Sequence, residues 1–150
     1  GKVVDYSFVA QRLKDLWLNY DVQLVAFDRW NFQAFKNALV EIGFTDDMLE
    51  KFQDFGQGFK SMSPALRELE ADFLNVKIAH GNNPVLSMAA ANATILQDPA
   101  GNRKLVKPKE RHRRIDPMVA LAMARGVAVS LTADMAATPW DLDENYRLVL

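Results

Sequence analysis

The sequence has 150 residues, of which 49% are hydrophobic and 25% are charged, and it contains no cysteine. These values exclude a disordered tail, a fibrous repeat, a disulfide framework and a thiolate metal site. No stretch approaches about 18 strongly apolar residues, so no transmembrane helix is predicted. Because only two histidines are present, a bound metal would be held mostly by carboxylates, which suit Mg²⁺ or Mn²⁺.

The net charge of −1 conceals a basic segment, which runs from Arg103 to Arg114. This basic segment holds seven of the chain's 18 basic residues but only one, Glu110, of its 19 acidic residues. Such a concentration indicates an anionic partner, and it favours contact with nucleic-acid phosphates. The predicted DNA-binding residues are Arg103, Lys104, Lys107, Lys109, Arg111, Arg113 and Arg114. The segment has no Phe, Tyr or Trp, so stacking on single strands is not supported.

The first elements alternate between helix and strand. A helix is predicted from Tyr6 to about Asn19, with Asp5 as its N-cap. The nearly continuous apolar run 22–27 predicts a buried strand of a parallel or mixed sheet, which ends at Asp28.

Asn31 is the predicted cap of a second helix, and Gly43 is its predicted stop. The pattern at 45–47 favours a short turn of helix, and 51–55 favours a second strand. The Gly-Gln-Gly sequence at 56–58 lacks the glycine spacing and the Lys-Ser/Thr of a phosphate loop.

Three later pairs place a helix-capping residue before a proline, which is typical of helix starts. These pairs are Ser63-Pro64, Asn83-Pro84 and Asp116-Pro117. Residues 76–80 favour a short strand or turn, and 94–107 predict a hairpin with a five-residue turn. The last main helix is predicted to end near Leu131. We therefore expect one domain over 1–133 and a peripheral acidic tail over 134–150.

Asp28 and Asp116 are the candidate catalytic residues. Asp28 ends a predicted buried strand, where open α/β sheets place their sites, although it is equally compatible with a turn or capping role. Asp116 precedes Pro117 at a predicted helix start, and such a cap is worth about 1 kcal/mol. Because a capping aspartate can leave one oxygen for a metal, the local pattern leaves both interpretations open at both positions.

Six short segments stand in a distinctive order. They are VVDYSFV (3–9), VQLVAFDRWN (22–31), GQGFKSMSP (56–64), HGNNPVL (80–86), DPAGN (98–102) and RIDPMVAL (114–121). In this order and spacing, they resemble the C-terminal nuclease domain of the large terminase subunits of tailed phages. The resemblance covers roughly residues 3 to 126. Each motif alone is weak, but the ordered set is fairly specific.

The resemblance implies an α/β, RNase H-like fold in which a mixed sheet is flanked by helices. It also implies a metal-dependent endonuclease that cuts concatemeric double-stranded DNA for packaging. On this basis Asp28 and Asp116 are catalytic residues and ligands of two Mg²⁺ or Mn²⁺ ions, and the hairpin contacts DNA. The implied partners are double-stranded DNA, the terminase small subunit and the portal, in the cytoplasm of a bacterial host.

One departure from the family pattern is large. The family carries its first catalytic carboxylate on an opening strand upstream of the segment matched by 3–5, and that strand has no counterpart here. We therefore expect an N-terminally truncated piece with an incomplete sheet and metal site. A free sheet edge would also favour self-association.

The competing hypothesis is a non-catalytic module for DNA binding or packaging assembly, in which both aspartates only cap helices. Carboxylates brought together in the fold would favour the nuclease, and widely separated carboxylates would favour the module.

Overall fold

The computed structural model describes residues 5–30, 32–108 and 113–135, with side chains described as far as Leu131. The predictions for Asn31, Lys109, Arg111 and the tail beyond 135 lie outside these ranges. Six helices and four strands occur within the described residues. In chain order they are α1 (Tyr6–Asn19), β1 (Val25–Phe27), α2 (Phe32–Glu41), α3 (Asp46–Glu50), β2 (Phe52–Asp54), α4 (Phe59–Leu74), α5 (Pro84–Asn92), β3 (Thr94–Gln97), β4 (Arg103–Val106) and α6 (Asp116–Met135).

The four strands form two pairs. β1 and β2 are parallel, with Val25 opposite Phe52, and β3 and β4 are an antiparallel hairpin. The α/β class is confirmed, although within the described ranges these pairs are two separate ladders and not one continuous mixed sheet. β1 is shorter than the predicted run 22–27 because β2 offers only three residues for pairing. The start of that run is held by the Lys51 ammonium, which donates to the carbonyl of Val22 at 2.6 Å.

Two apolar clusters lie on the two sides of the β1–β2 pair. The first joins α4 to α6 through buried Met62, Leu69 and Ala122, and Ala26 of β1 packs against it. The second joins α1 to α2 through buried Ala10 and Leu39, and Phe52 of β2 packs against it. Helices therefore cover both faces of the parallel pair, as the buried-strand pattern of β1 predicted.

Two predicted helix starts are confirmed. The Asp5 carboxylate caps α1 by accepting from the backbone N–H of Ser7 at 2.9 Å. The Asn83 side chain caps α5 by accepting from the N–H groups of Val85 and Leu86 at 3.0 and 3.1 Å. Each cap satisfies backbone donors that a helix leaves without an intrahelical partner.

The helix start predicted at Ser63-Pro64 is wrong. α4 begins at Phe59, so Pro64 lies inside the helix and leaves the carbonyl of Lys60 without its usual donor. The extra N-terminal turn brings Met62 to 1% exposure against α6, and Ser63 is buried with it. Burial of this turn outweighs the proline penalty, and a local capping pattern carries no information about that contact.

Other boundaries differ more modestly from expectation. The segment 76–80 forms no strand in the described structure, and Val76 adopts a φ of 55° in the left-handed region. α6 begins at Asp116 itself and continues to Met135. No helix in the described part of the chain combines the length and apolar character that crossing a membrane requires.

Candidate functional site

Asp28 lies one residue beyond β1 and is exposed. Its Oδ1 accepts the backbone N–H of Trp30 at 3.1 Å, and its Oδ2 accepts the side-chain amide of Gln57 at 2.6 Å. The first bond is a turn contact of the kind expected for an aspartate after a strand. The second bond joins residues that are 29 positions apart, so it fixes the carboxylate relative to the loop after β2.

Asp116 is the first residue of α6, and its carboxylate faces the end of the β3–β4 hairpin. Its Oδ1 lies 3.1 Å from the Lys107 ammonium. The two side chains are 62% and 55% exposed, so the ion pair is solvated and contributes at most about 1 kcal/mol to stability. Such a weak pair can be exchanged for other partners at little cost.

Both candidate carboxylates line one cavity of about 650 Å³, which we call the Asp28–Asp116 cavity. Its lining includes the consecutive residues 24–28 on and around β1, together with Ile115, Asp116 and further residues from the first half of α6. Gln57 and Lys107 also line it. The fold therefore brings together two carboxylates that are 88 positions apart in the chain, each with a donor from a different loop or strand end.

Gln57 is a site residue that the sequence analysis missed. The Gly-Gln-Gly segment was tested only as a phosphate loop, which it is not. Its position after β2 is the available signal, because the ends of adjacent parallel strands meet at one edge of a sheet. The N–H of Phe55 donates to the carbonyl of Phe27 at 2.8 Å, and this bond continues the ladder up to the site.

Within the basic segment, the cations do not share one environment. Arg103 forms a 2.7 Å ion pair with Glu70, and the Lys104 ammonium lies 4.8 Å from the ring centre of Phe59. Arg113 and Arg114 are exposed. Counting charges along the sequence overlooked Glu70, which reaches the segment only through the fold, and the pairing of Asp116 with Lys107.

The Arg103–Glu70 pair ties β4 to α4. The hydrogen bond from Arg103, followed by the charge of its guanidinium, holds the pKa of Glu70 below its ordinary value of 4.5. The same bond raises the pKa of Arg103. This contact therefore anchors the hairpin, which ends at Lys107 beside the site.

The donor set of the cavity suits a hard divalent cation. Mg²⁺ in proteins is commonly held by one or two carboxylates together with substrate phosphates and water. Asp28 and Asp116 are two carboxylates of the type that such a site uses. Within the described ranges, no group of three or more His, Cys, Asp or Glu side chains could hold a metal. A two-ion site would therefore need a further ligand from outside the described residues.

A family model described as the endonuclease domain of the terminase large subunit matches residues 1–131. The chain is 44% identical over 128 residues to the terminase large subunit of Enterobacteria phage HK97, a match that covers 85% of this chain. The chain belongs to the family of terminase large subunit endonuclease domains. The chain spans about a quarter (24%) of the length of the HK97 relative.

Two solved structures resemble this fold. The crystal structure of the HK97 large terminase has a TM-score of 0.74 at 43% identity, covering 85% of this chain and 26% of that one. The large terminase nuclease of the thermophilic phage G20c has a TM-score of 0.60 at 18% identity, covering 83% of this chain and 63% of that one. The predicted family and its RNase H-like α/β fold are confirmed.

Proposed function

We propose that this chain forms part of a metal-dependent endonuclease that cuts concatemeric double-stranded DNA during phage genome packaging. The observation that carries the proposal is the meeting of Asp28 and Asp116 in one cavity. Helix capping alone would not require the two carboxylates to face a common space. The competing hypothesis of a non-catalytic module gives no reason for that arrangement.

In this proposal Asp28 and Asp116 are the catalytic residues and hold divalent cations, Mg²⁺ or Mn²⁺, two in the complete site. The bound ions supply activation of the attacking water and stabilisation of the oxygen that leaves phosphorus. Gln57 holds the Asp28 carboxylate in place through its 2.6 Å hydrogen bond. Hydrolysis forms one P–O bond to water and breaks one P–O bond to the leaving sugar.

The third carboxylate, in this proposal, comes from a strand upstream of the chain. Residues 24–28 line the Asp28–Asp116 cavity, and within the described part of the chain β1 pairs with β2 on one edge only. An added strand would pair with the other edge of β1, next to Asp28 at the end of that strand. A second copy of the chain is the other candidate to pair there, which would give a homo-oligomer.

DNA is the partner that the charge distribution favours. Arg113 and Arg114 are exposed and directly precede Ile115 and Asp116, so the basic segment ends next to a site residue in the chain. Cations that contact phosphates position a duplex without reading its sequence, which suits cutting with little sequence preference. The terminase small subunit and the portal are further proposed partners, in the cytoplasm of the bacterial host. Residues 1–133 are the proposed nuclease part and 134–150 a peripheral tail.

A plasmid-cleavage assay with Mg²⁺ and Mn²⁺ tests this function. It compares the chain with a version extended upstream by about 50 residues, roughly one supersecondary unit. We expect the extended protein to cut and Asp28→Asn and Asp116→Asn to abolish cutting, with unchanged circular dichroism. Asp21→Asn, at an exposed aspartate outside the cavity, is the matched control. Cutting retained in Asp28→Asn would overturn the assignment, and DNA binding without cutting in either length would favour the non-catalytic module.

A further inference from the structure

The two carboxylates of the Asp28–Asp116 cavity interact with chemically different partners. Asp28 accepts a hydrogen bond from the neutral amide of Gln57, whereas Asp116 forms an ion pair with the charged ammonium of Lys107. A neutral donor can stay hydrogen-bonded to a carboxylate that binds a cation, as outer-sphere partners of metal ligands do. An ammonium 3.1 Å from the carboxylate oxygen would be repelled by a divalent cation at the same oxygen.

We propose that Lys107 is an exchangeable counter-ion: it neutralises Asp116 in the free protein and transfers to the DNA phosphate at the cut site when a divalent cation binds Asp116. This inference rests on the proposed nuclease function and assigns Lys107 a specific position within it. Lys107 is thereby distinguished from the other cations of the basic segment, which in this proposal contact phosphates other than the one at the cut site.

Three features of the structure support the exchange. Lys107 lines the same cavity as both carboxylates, so its ammonium is already beside the space that a bound phosphate would enter. Its side chain is more than half exposed, and a solvated ion pair is easily broken. Lys107 also directly follows β4, whose Leu105 packs against the cluster that joins α4 to α6, so only the flexible lysine side chain needs to move.

The exchange also explains how the site avoids an unfavourable charge in each state. In the free protein, the Lys107 ammonium neutralises the Asp116 carboxylate at the cavity wall. Once a divalent cation neutralises Asp116, the Lys107 ammonium no longer has a negative partner there. The negatively charged phosphodiester then becomes its partner. A cation placed where charge develops on a reacting phosphoryl group stabilises the transition state.

The test measures Mn²⁺ affinity without DNA, by calorimetry, and plasmid cleavage at saturating Mn²⁺. The variants are Lys107→Met and Lys107→Arg in the upstream-extended protein, with Lys77→Met, at an exposed lysine after α4, as the charge-matched control. We expect Lys107→Met to bind Mn²⁺ about twofold to fivefold more tightly, since an exposed ion pair no longer competes. We expect the same variant to cut at least tenfold more slowly, with Lys107→Arg close to the wild type in both measurements.

In Lys107→Met the exchange raises Mn²⁺ affinity and lowers the cleavage rate. A purely structural role of Lys107 would instead lower both quantities together. Unchanged or weaker Mn²⁺ binding in Lys107→Met, or an equal gain in Lys77→Met, would overturn the exchange. Failure of the underlying function looks different: Asp116→Asn would then leave Mn²⁺ binding unchanged. If Asp116→Asn weakens binding and Lys107→Met has no effect, the nuclease site stands and only the exchange is wrong.

Discussion

The amide of Gln57 donates to Oδ2 of Asp28 at 2.6 Å, and this bond connects the loop after β2 to the end of β1. It leaves Asp28 oriented into the cavity that Asp116 also lines. A side-chain contact thereby joins the segments that follow the carboxyl ends of β1 and β2, where the backbone pairing stops.

Gln57→Ala is expected to lower Mn²⁺ affinity or plasmid cleavage by about 10-fold to 100-fold, the usual effect of removing an outer-sphere partner of a metal ligand. The fold should be unchanged, because Gln57 is exposed and lies outside the helices and strands. Calorimetry and cleavage kinetics make the measurement. Gln53→Ala, an exposed glutamine on β2, is the control. Wild-type metal affinity in Gln57→Ala would show that Asp28 needs no such support.

The double variant Arg113→Ala/Arg114→Ala should weaken duplex binding about equally for unrelated DNA sequences. Each phosphate contact contributes roughly 0.9 to the slope of log affinity against log salt, so the slope should fall in magnitude by about 2. Fluorescence anisotropy across a salt series gives that slope. Arg67→Ala/Lys77→Ala removes the same charge from exposed positions outside the basic segment. An equal loss of slope in both double variants would refute a specific role for Arg113 and Arg114.

Gly126→Ala should destabilise the protein even though alanine favours helices by about 1 kcal/mol. A Cβ at this position would lie 2.5 Å from the Phe55 ring and 3.1 Å from the Cβ of Ala65, where α6 crosses α4. Overpacking of this kind costs about 1–3 kcal/mol, so urea unfolding should show a net loss of up to about 2 kcal/mol. Phe55→Leu should partly rescue it. A Gly126→Ala variant more stable than the wild type would contradict the close packing.

Glu70 should make the anchoring of the hairpin depend on pH. Because folding lowers its pKa from 4.5, its stabilising contribution is present above that value and is lost as pH falls through the lower folded pKa. NMR titration should place the Glu70 midpoint below 4.5 in the wild type and closer to 4.5 in Arg103→Met. A midpoint that Arg103→Met does not move would show that the ion pair is not formed in solution.

The elements set by local patterns were predictable from the sequence. The hairpin and the caps at Asp5 and Asn83 each depend on a few neighbouring residues, and the structure confirms them. The strand before Asp28 is present, but it is shorter than predicted and only partly buried. The start of α4 was not predictable. The helix begins before Pro64 because its first turn buries Met62 against α6, and this contact is between residues far apart in the chain.

The site shows the same division between local and long-range information. Asp28 and Asp116 stood out because each follows a recognisable strand or helix signal. Their partners Gln57 and Lys107 reach them from 29 and 9 positions away, through the ladder and the hairpin. The neutralisation of Arg103 by Glu70, 33 positions away, likewise depends on how β4 packs against α4.

Anomalous diffraction at the manganese edge tests the central claim most directly, on crystals of the upstream-extended protein grown with Mn²⁺. The account predicts a manganese peak in the Asp28–Asp116 cavity, within coordination distance of both carboxylates. A protein that cuts DNA with Mn²⁺ while its manganese peaks lie away from both aspartates would contradict the account.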